Sequence, residues 1–349
     1  MSAAQCKDKK SLVDILCLET FKDTCSSNKT IYNLLPSRVT DFSLMYATVN
    51  FLRSRMKLYD IIHIHGAWSF QFFLIAPFIY FSQKKIIYQP HGLLCPIRMQ
   101  KSWLIKKLAW IFYQRYFLKY SRYIVCCSKK EAAEISSIYA EPNKIKVIPN
   151  GLDDDFFLDK SSNTSKRLNR FMFFSQVIPI KNLESVFRAI STLKHKDSYD
   201  VYLDIYGYGP ESYICKLRAL INKLSISKNI SFKGAVSRGE RIAVYDKYTY
   251  FILPSLSENF AIVVLEALSR GCKVFVSTQT PWTEYEHSNL TLLDPDEFSV
   301  YSALKTQLID NQHPTDFKSN SRLNLTDFNW DEISVQFNKL YFSGKKASL

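Results

Sequence analysis

YFILPSLSENFAIVVLEALSRGCKVFVST, running from Tyr250 to Thr278, is the stretch that decides the fold. YFIL is short and apolar throughout, as a strand covered on both faces must be. Pro254 and Ser255 end it, and a polar loop, LSEN, follows. From about Ala261 to Ser269 the apolar residues recur at helical spacing. A second doubly buried strand, KVFVST, begins near Lys273, after Gly271. Strand, loop, helix, glycine and strand in this order make a β-α-β unit, whose strands run parallel.

The same alternation extends in both directions. RFMFFSQV, VYLDIYG and ISFKG precede the unit as further strand candidates. Helical patterns lie at Leu183–Leu193, Pro210–Leu224 and Ser237–Asp246. Earlier still, LVDILCL (Leu12–Leu18), DIIHIH (Asp60–His65), KIIYQP (Lys85–Pro90), RYIVCC (Arg122–Cys127) and KIKVIP (Lys144–Pro149) read as strands of one parallel sheet. Helical segments at Ser102–Lys119 and Lys129–Tyr139 separate the later ones. FQFFLIAPFIYF (Phe70–Phe81) is too short to span a bilayer and reads as a buried helix. The polar run Asp153–Arg167 parts the two halves. The expected fold class is therefore α/β, with two Rossmann-like lobes: residues 1–152, a linker at 153–167, a second lobe at 168–328, and a helix at 329–349 returning to the first lobe. In such sheets ligands bind beyond the carboxyl ends of the strands.

The chain has 349 residues with 47% hydrophobic and 22% charged, a composition that excludes a disordered protein. Its net charge of +14 is concentrated in residues 1–150, which carry 22 Lys/Arg against 9 Asp/Glu. Between Ile61 and Lys130 there are eleven basic residues and no acidic one. That field suits phospholipid headgroups, nucleic acid or a phosphate-bearing substrate; a merely solvated basic face is the alternative. No nucleic-acid recognition motif accompanies it, so nucleic acid is not expected as a partner. The eight cysteines make no paired C-x-x-C, which argues against zinc and for reduced thiols in a cytosolic setting. The polar opening MSAAQCKDKK does not read as a signal peptide.

Two carboxylates stand out, Glu258 in the loop and Glu266 two turns into the helix. A helix start offers free N–H groups and a positive dipole end to a diphosphate. Carboxylates flanking it accept hydrogen bonds from hydroxyls on either side. PSLSENFAIVVLEAL resembles the Glu-x(7)-Glu signature of glycosyltransferase family 4, retaining enzymes of GT-B fold. DIIHIHGAWS, YQPHGLLCP, CCSKKEAAEI, IPNGLD, QVIPIKNLES, YGYGPE, STQTPWTE and FNWDEI resemble further blocks of that family, in the same order. The resemblance runs from about Leu12 to Tyr341.

It implies a sugar transfer from a nucleoside-diphosphate sugar, UDP- or GDP-linked, with no cofactor or metal. Glu258 would meet the donor sugar and Glu266 the ribose. Asn259, Phe260, Ala261 and Ile262 would cradle the phosphates through their backbone; the family usually has glycine at position 261. Lys181 matches a lysine that neutralises the diphosphate. Gln176 occupies the position of a partner arginine; its lost charge is worth about 1.5–3 kcal/mol. Arg238 or Arg241 are candidate replacements. Gly207, in YGYGP, reads either as a nucleotide contact or as a tight turn alone. On the acceptor side the resemblance points to His91 near the reacting sugar, and His65, Gly66 and Trp68 line the expected cleft; His63 reads as structural.

Interleaved bases and aromatics between Arg98 and Tyr123 suit an interfacial helix on anionic lipid, with Lys101, Trp103, Lys106, Lys107, Trp110 and Arg115 as contacts. The implied acceptor is a glycan or lipid-linked glycan, the implied setting O-antigen, capsule or exopolysaccharide synthesis, and the implied location the inner face of the cytoplasmic membrane. Against the family pattern the chain lacks its first strand and glycine-rich loop. That absence motivates an alternative, a weakly active or inactive protein retaining only a binding role.

Overall fold

A computed structural model describes residues 13–18, 29–35, 42–100, 102–139, 141–158, 169–312 and 324–343. It divides into two compact units, Met1–Gly151 with Trp330–Leu349, and Leu152–Asn329.

In the first unit the described strands are β1 (Val13–Leu18), β2 (Lys29–Leu35), β3 (Ile61–His65), β4 (Lys85–Gln89), β5 (Tyr123–Cys126) and β6 (Ile145–Val147). The helices are α1 (Phe42–Arg55), α2 (Phe70–Phe81), α3 (Pro96–Gln100), α4 (Trp103–Ala109), α5 (Arg115–Tyr120) and α6 (Lys129–Ile138). A π-helical turn, Trp110–Gln114, joins α4 to α5. Strands β3 to β6 form one parallel sheet in sequence order. The sequence places Leu12–Leu18 in this sheet, and here the structure differs. β1 pairs instead with β2, a strand the pattern does not reveal, in a separate two-stranded parallel sheet. KTIYNLL lacks the bounded apolar run that marks the other strands, so only its pairing identifies it. The expected absence of an opening strand concerns residues 1–12, which lie outside the described residues.

α2 has the expected bounds but is only partly buried. Gln71, Phe72 and Ile79 face the core, while Phe73, Tyr80 and Phe81 are exposed. The sheet's other face is covered by α12 of the full chain order, Trp330–Phe342, whose Ile333 and Phe337 pack on Ile87, Val125 and Ile148. A Cβ on Gly151 would stand 2.4 Å from the Trp330 ring, so the glycine of IPNGLD is what admits the tryptophan of FNWDEI.

The second unit holds β7 (Arg170–Phe174), β8 (Tyr202–Tyr206), β9 (Ile230–Gly234), β10 (Tyr250–Leu253), β11 (Lys273–Ser277) and β12 (Leu290–Leu293). Its helices are α7 (Leu183–Asp197), α8 (Glu211–Lys223), α9 (Arg241–Tyr245), α10 (Ile262–Ser269) and α11 (Glu297–Gln312). The strands are all parallel, in the order β12-β11-β10-β7-β8-β9. This is the doubly wound order with its reversal between β7 and β10. Doubly buried strands such as Phe171-Met172-Phe173 and Phe251-Ile252-Leu253 supply the core, as their unbroken apolar runs require. Asp153–Leu158, expected to begin a linker, is instead folded onto this unit. Asp154–Phe157 forms a 3-10 turn, Phe156 is buried, and Arg270 donates to the carbonyls of Phe156 and Leu158.

Candidate active site

The reversal between β7 and β10 puts two loops side by side, because the helices that follow these strands leave on opposite faces. The loop after β7 carries Gln176 and Lys181; the loop after β10 carries Glu258 and opens α10. Three bonds stitch them together. Leu256 N–H donates to Ile180 O at 2.8 Å. Asn182, held left-handed at φ 55°, donates through Nδ2 to Pro254 O at 3.2 Å and to Pro295 O at 2.8 Å. Lys181 Nζ meets Glu258 Oε1 at 2.5 Å, and the Ser255 hydroxyl donates to the same oxygen at 2.7 Å. Both members of the Lys181–Glu258 pair keep only 12% of their side-chain surface exposed, so the ion pair is little screened.

Ala261 caps the start of α10, and its backbone is left-handed at φ 59°, ψ 64°. That geometry explains why the related pattern has glycine here: alanine carries its Cβ into the crowded left-handed region. Phe260 is buried, and its carbonyl accepts from Trp282 Nε1 at 2.7 Å. Its ring packs on Trp282 and Phe328, so this residue meets the site through its backbone only. Asn259 and Ile262 flank it at intermediate exposure.

Glu266, about one turn into α10 rather than the two expected, is buried, and both of its oxygens are engaged. Oε1 pairs with Arg241 and Oε2 accepts from the Tyr245 hydroxyl at 2.8 Å. Burial raises its pKa, and Arg241 and Tyr245 pull the other way. Arg241 and Tyr245 lie on α9, four residues apart and hence on one helix face. Of the two arginines considered as replacements at position 176, Arg241 thus serves Glu266, while Arg238 pairs with Asp153 at 2.7 Å and stays largely in water. Gln176 itself is exposed and donates to the Tyr208 hydroxyl at 3.3 Å. Gly207 has φ 136°, and a Cβ there would lie 1.8 Å from Ser175 O. A Cβ on Gly209 would lie 1.9 Å from Val177 O. The YGYG glycines are therefore required by close passage of the turn over the end of β7, whatever ligand meets it.

In the first unit the carboxyl ends of β3, β4, β5 and β6 bring a second group together. His65 Nδ1 and His91 Nε2 lie 2.9 Å apart with stacked rings. His91 Nδ1 faces Cys127 Sγ at 3.9 Å, and Cys127 in turn meets Asn150 Oδ1 at 3.5 Å. Both ring nitrogens of His91 thus have protein neighbours. His91 and Gly92 are both left-handed, at φ 54° and 70°. Glu131 holds this turn. Its carboxylate accepts from Gly92 N–H at 2.5 Å and Cys127 N–H at 2.7 Å, while the Ser128 hydroxyl caps its own N–H at 3.1 Å. Burial lifts Glu131 to about 7 in spite of those bonds.

His63 and His65 share a strand face, with rings 4.1 Å apart. His63 is tied by Nδ1 to the Tyr341 hydroxyl at 2.7 Å. Desolvation lowers all three imidazoles, and like-charge repulsion between neighbours adds to this for His63 and His65; His65 is exposed, so water moderates its shift. Among the described residues there is no group of three or more side chains placed to hold a metal ion. Trp68 is left-handed at φ 66°, and its Nε1 donates to Leu93 O at 2.6 Å, while Gly66 at φ 98° makes the turn before it.

Of the expected lipid contacts, Trp103, Lys107 and Arg115 are exposed. Trp110 instead packs inward against the core near Trp68, and Lys106 turns back to the Arg98 carbonyl and over the Trp68 ring. Lys101 lies outside the described residues. The apolar side chains that do face solvent here are Leu104, Ile105, Leu108, Ile111 and Phe112.

Sequence reasoning missed Tyr245, Ser255, Asn182 and Glu131. Ser128-x-x-Glu131 had a legible signal, the capping-box spacing. The others are joined only by tertiary contact.

Residues 154–324 match the family model described as glycosyl transferases group 1, and residues 12–156 match the model glycosyltransferase family 4. Among curated proteins the chain is 26% identical over 203 residues to the O-antigen chain mannosyltransferase RfbU of Salmonella typhimurium, covering 58% of this chain and 55% of that one. Such matches span about half the length of the curated relatives. Among solved structures, HepE of Anabaena in complex with UDP-glucose aligns at 17% identity with a TM-score of 0.72, covering 90% of this chain and 86% of that one. Sucrose-phosphate synthase of Thermosynechococcus elongatus aligns at 16% identity with a TM-score of 0.76, covering 97% and 90%. At these identities the structural likeness bears on the fold alone.

Proposed function

Since this chain belongs to glycosyltransferase family 4, we propose that it moves a sugar, with retention of configuration, from a nucleoside-diphosphate sugar to a glycan or lipid-linked glycan acceptor. The observation that carries this is the pairing of Lys181 with Glu258 beside the left-handed start of α10, at the reversal point of the second sheet. Lys181 supplies positive charge where a diphosphate leaving group develops negative charge, and the first N–H groups of α10 add a fixed dipole. Glu258 accepts hydroxyls of the donor sugar, and Glu266, preset by Arg241 and Tyr245, accepts those of the ribose. The acceptor hydroxyl attacks on the face from which the nucleotide departs. His65 and His91 are the polar groups the first unit offers to the acceptor.

The acceptor is read as a precursor of a surface polysaccharide such as O-antigen, capsule or exopolysaccharide. The kinship to a protein named as an O-antigen mannosyltransferase supports that reading. The exposed side chains between Trp103 and Phe112, beside eleven basic and no acidic residues from Ile61 to Lys130, support peripheral contact with an anionic membrane surface. No helix among the described residues is long and apolar enough to cross a membrane. A second reading, binding without turnover, is favoured by one observation: uncharged Gln176 stands where an arginine is usual.

A screen of UDP- and GDP-sugars against wild type and Glu266→Ala separates these readings. One nucleotide sugar is expected to be turned over, with affinity about 10- to 100-fold weaker in the variant, the value of one or two hydrogen bonds to a charged group. Binding without transfer points to the second reading. Unchanged affinity in Glu266→Ala sinks both.

A further inference from the structure

The first unit contains an open, shallow depression of about 600 Å³ at the amino ends of β3, β4 and β5, the edge of the sheet opposite to His65 and His91. Lys84, Lys85, Lys119, Arg122 and Lys144 line it, together with Tyr341 and Ser343 from the C-terminal helix and the residue after it, and no Asp or Glu does. We infer that this depression is a binding site for a phosphate-bearing anion, separate from the donor site of the second unit.

The cations at this edge have an immediate local role. The carboxyl ends of α2 and α5 point here, and free carbonyls at helix ends favour nearby cations. Lys84 Nζ donates to Lys57 O at 3.2 Å and Lys144 Nζ to Lys119 O at 2.9 Å. Lys85 Nζ donates to Tyr341 O at 3.0 Å and Ser343 O at 2.7 Å. Carbonyls are neutral, however. They fill hydrogen-bonding capacity and leave the charge in place. Among the described residues, Glu141 pairs with the lining cation Lys144 at 2.7 Å. Asp60 is the other acid close in the chain, next to Ile61. Among the described residues, five lining cations thus stand against these two carboxylates, a net positive balance.

Arg122 and Lys119 are exposed and lie over the rings of Tyr123 and Tyr120, which cost them none of their N–H donors. The Tyr123 hydroxyl also registers the field: its hydrogen bond with Ser343 lowers its pKa, and Arg122 and Lys85 lower it further. A planar guanidinium beside mobile ammonium groups is the donor set that phosphate oxygens take. Two sources share that chemistry: a free phosphate compound, and a phospholipid headgroup. Exposed Phe81 and Tyr80, at the end of α2 just before Lys84, give the second source an apolar neighbour.

The test uses the full chain with saturating UDP, to occupy the donor site, and inorganic pyrophosphate as probe, read by calorimetry. Wild type is expected to bind pyrophosphate under these conditions. Lys119→Gln/Arg122→Gln is expected to bind it about tenfold or more weakly, since one lost charge-assisted contact is worth about a decade. Lys181→Gln, in the other unit, is expected to leave this binding unchanged. Flotation with phosphatidylglycerol and phosphatidylcholine vesicles then assigns the source: a headgroup site retains the phosphatidylglycerol preference only in wild type, and pyrophosphate competes it away. A free-phosphate site leaves flotation equal in both proteins. If UDP abolishes pyrophosphate binding to wild type, or if the double variant binds as wild type does, the inference is overturned.

Discussion

Arg241→Leu removes the cation that neutralises Glu266, and its cost follows from burial. Glu266 keeps 2% of its side-chain surface exposed and Arg241 keeps 26%. Removing one partner of a fully buried ion pair costs about 3–5 kcal/mol, because the other charge is left without compensation. Arg241 reaches water, and Tyr245 continues to donate to the second oxygen, so the expected loss lies nearer 2–3 kcal/mol. Glu266→Leu carries a similar cost through the orphaned guanidinium. The double variant has no charge left to orphan and should lose no more than either single one, which makes the coupling energy about 2 kcal/mol in a double-mutant cycle. Guanidinium unfolding followed by circular dichroism measures it. The pH dependence fixes the cause. Glu266 has a folded-state pKa raised by burial. Such a group favours the folded state at low pH, and that contribution is lost as pH rises through the folded value. Removing Arg241 raises that value further, so Arg241→Leu should cost more at pH 8 than at pH 5. A coupling below about 0.5 kcal/mol, or a penalty independent of pH, refutes the account.

Ala261→Gly should stabilise the second unit by about 1 kcal/mol, because φ 59° is strained for alanine and open to glycine, although glycine's larger unfolded-state entropy offsets part of the gain; a lower melting temperature in the variant would contradict the assigned backbone. The histidine cluster predicts acid sensitivity in the first unit. His63, His65 and His91 all have lowered folded-state pKa values, so their contribution is complete above the unfolded value of 6.5 and is lost as pH falls below it. A buried histidine kept neutral adds a slope of up to about 1.4 kcal/mol per pH unit there, and exposed His65 adds less because water screens it. His63→Phe, which keeps a ring against Phe337 and cannot titrate, should flatten the fall in melting temperature between pH 6.5 and 5; an unchanged slope would remove His63 from the account.

Much of this was legible because doubly buried parallel strands are written as unbroken apolar runs. ISFKG coincides with β9 residue for residue, and KIIYQ and KVFVS are β4 and β11 less their last expected residue. β2 escaped because KTIYNLL mixes polar residues into a strand with one neighbour. β12 escaped because LTLL is short and lies at the sheet edge. The π-helical turn at Trp110–Gln114 was illegible for a different reason. It adds a residue to a helical period that otherwise continues, and so rotates Trp110 inward and leaves Ile111 and Phe112 outside.

The glutamates themselves were readable from spacing; what they touch was not, and the contacts change what the site asks of a ligand. Each carboxylate has a cation of its own, Lys181 for Glu258 and Arg241 for Glu266. The loss of a charge at Gln176 is therefore not made good by Arg241, whose guanidinium is already committed. On the proposed reading, a diphosphate bound beside α10 would share Lys181 with Glu258. An ammonium has three donors and can serve both at once. The carboxylate then lowers the positive charge the phosphate feels, and the helix N–H groups must carry more of the attraction. On the proposed reading, the chain would then lean on the backbone at Ala261, whose left-handed φ of 59° opens α10.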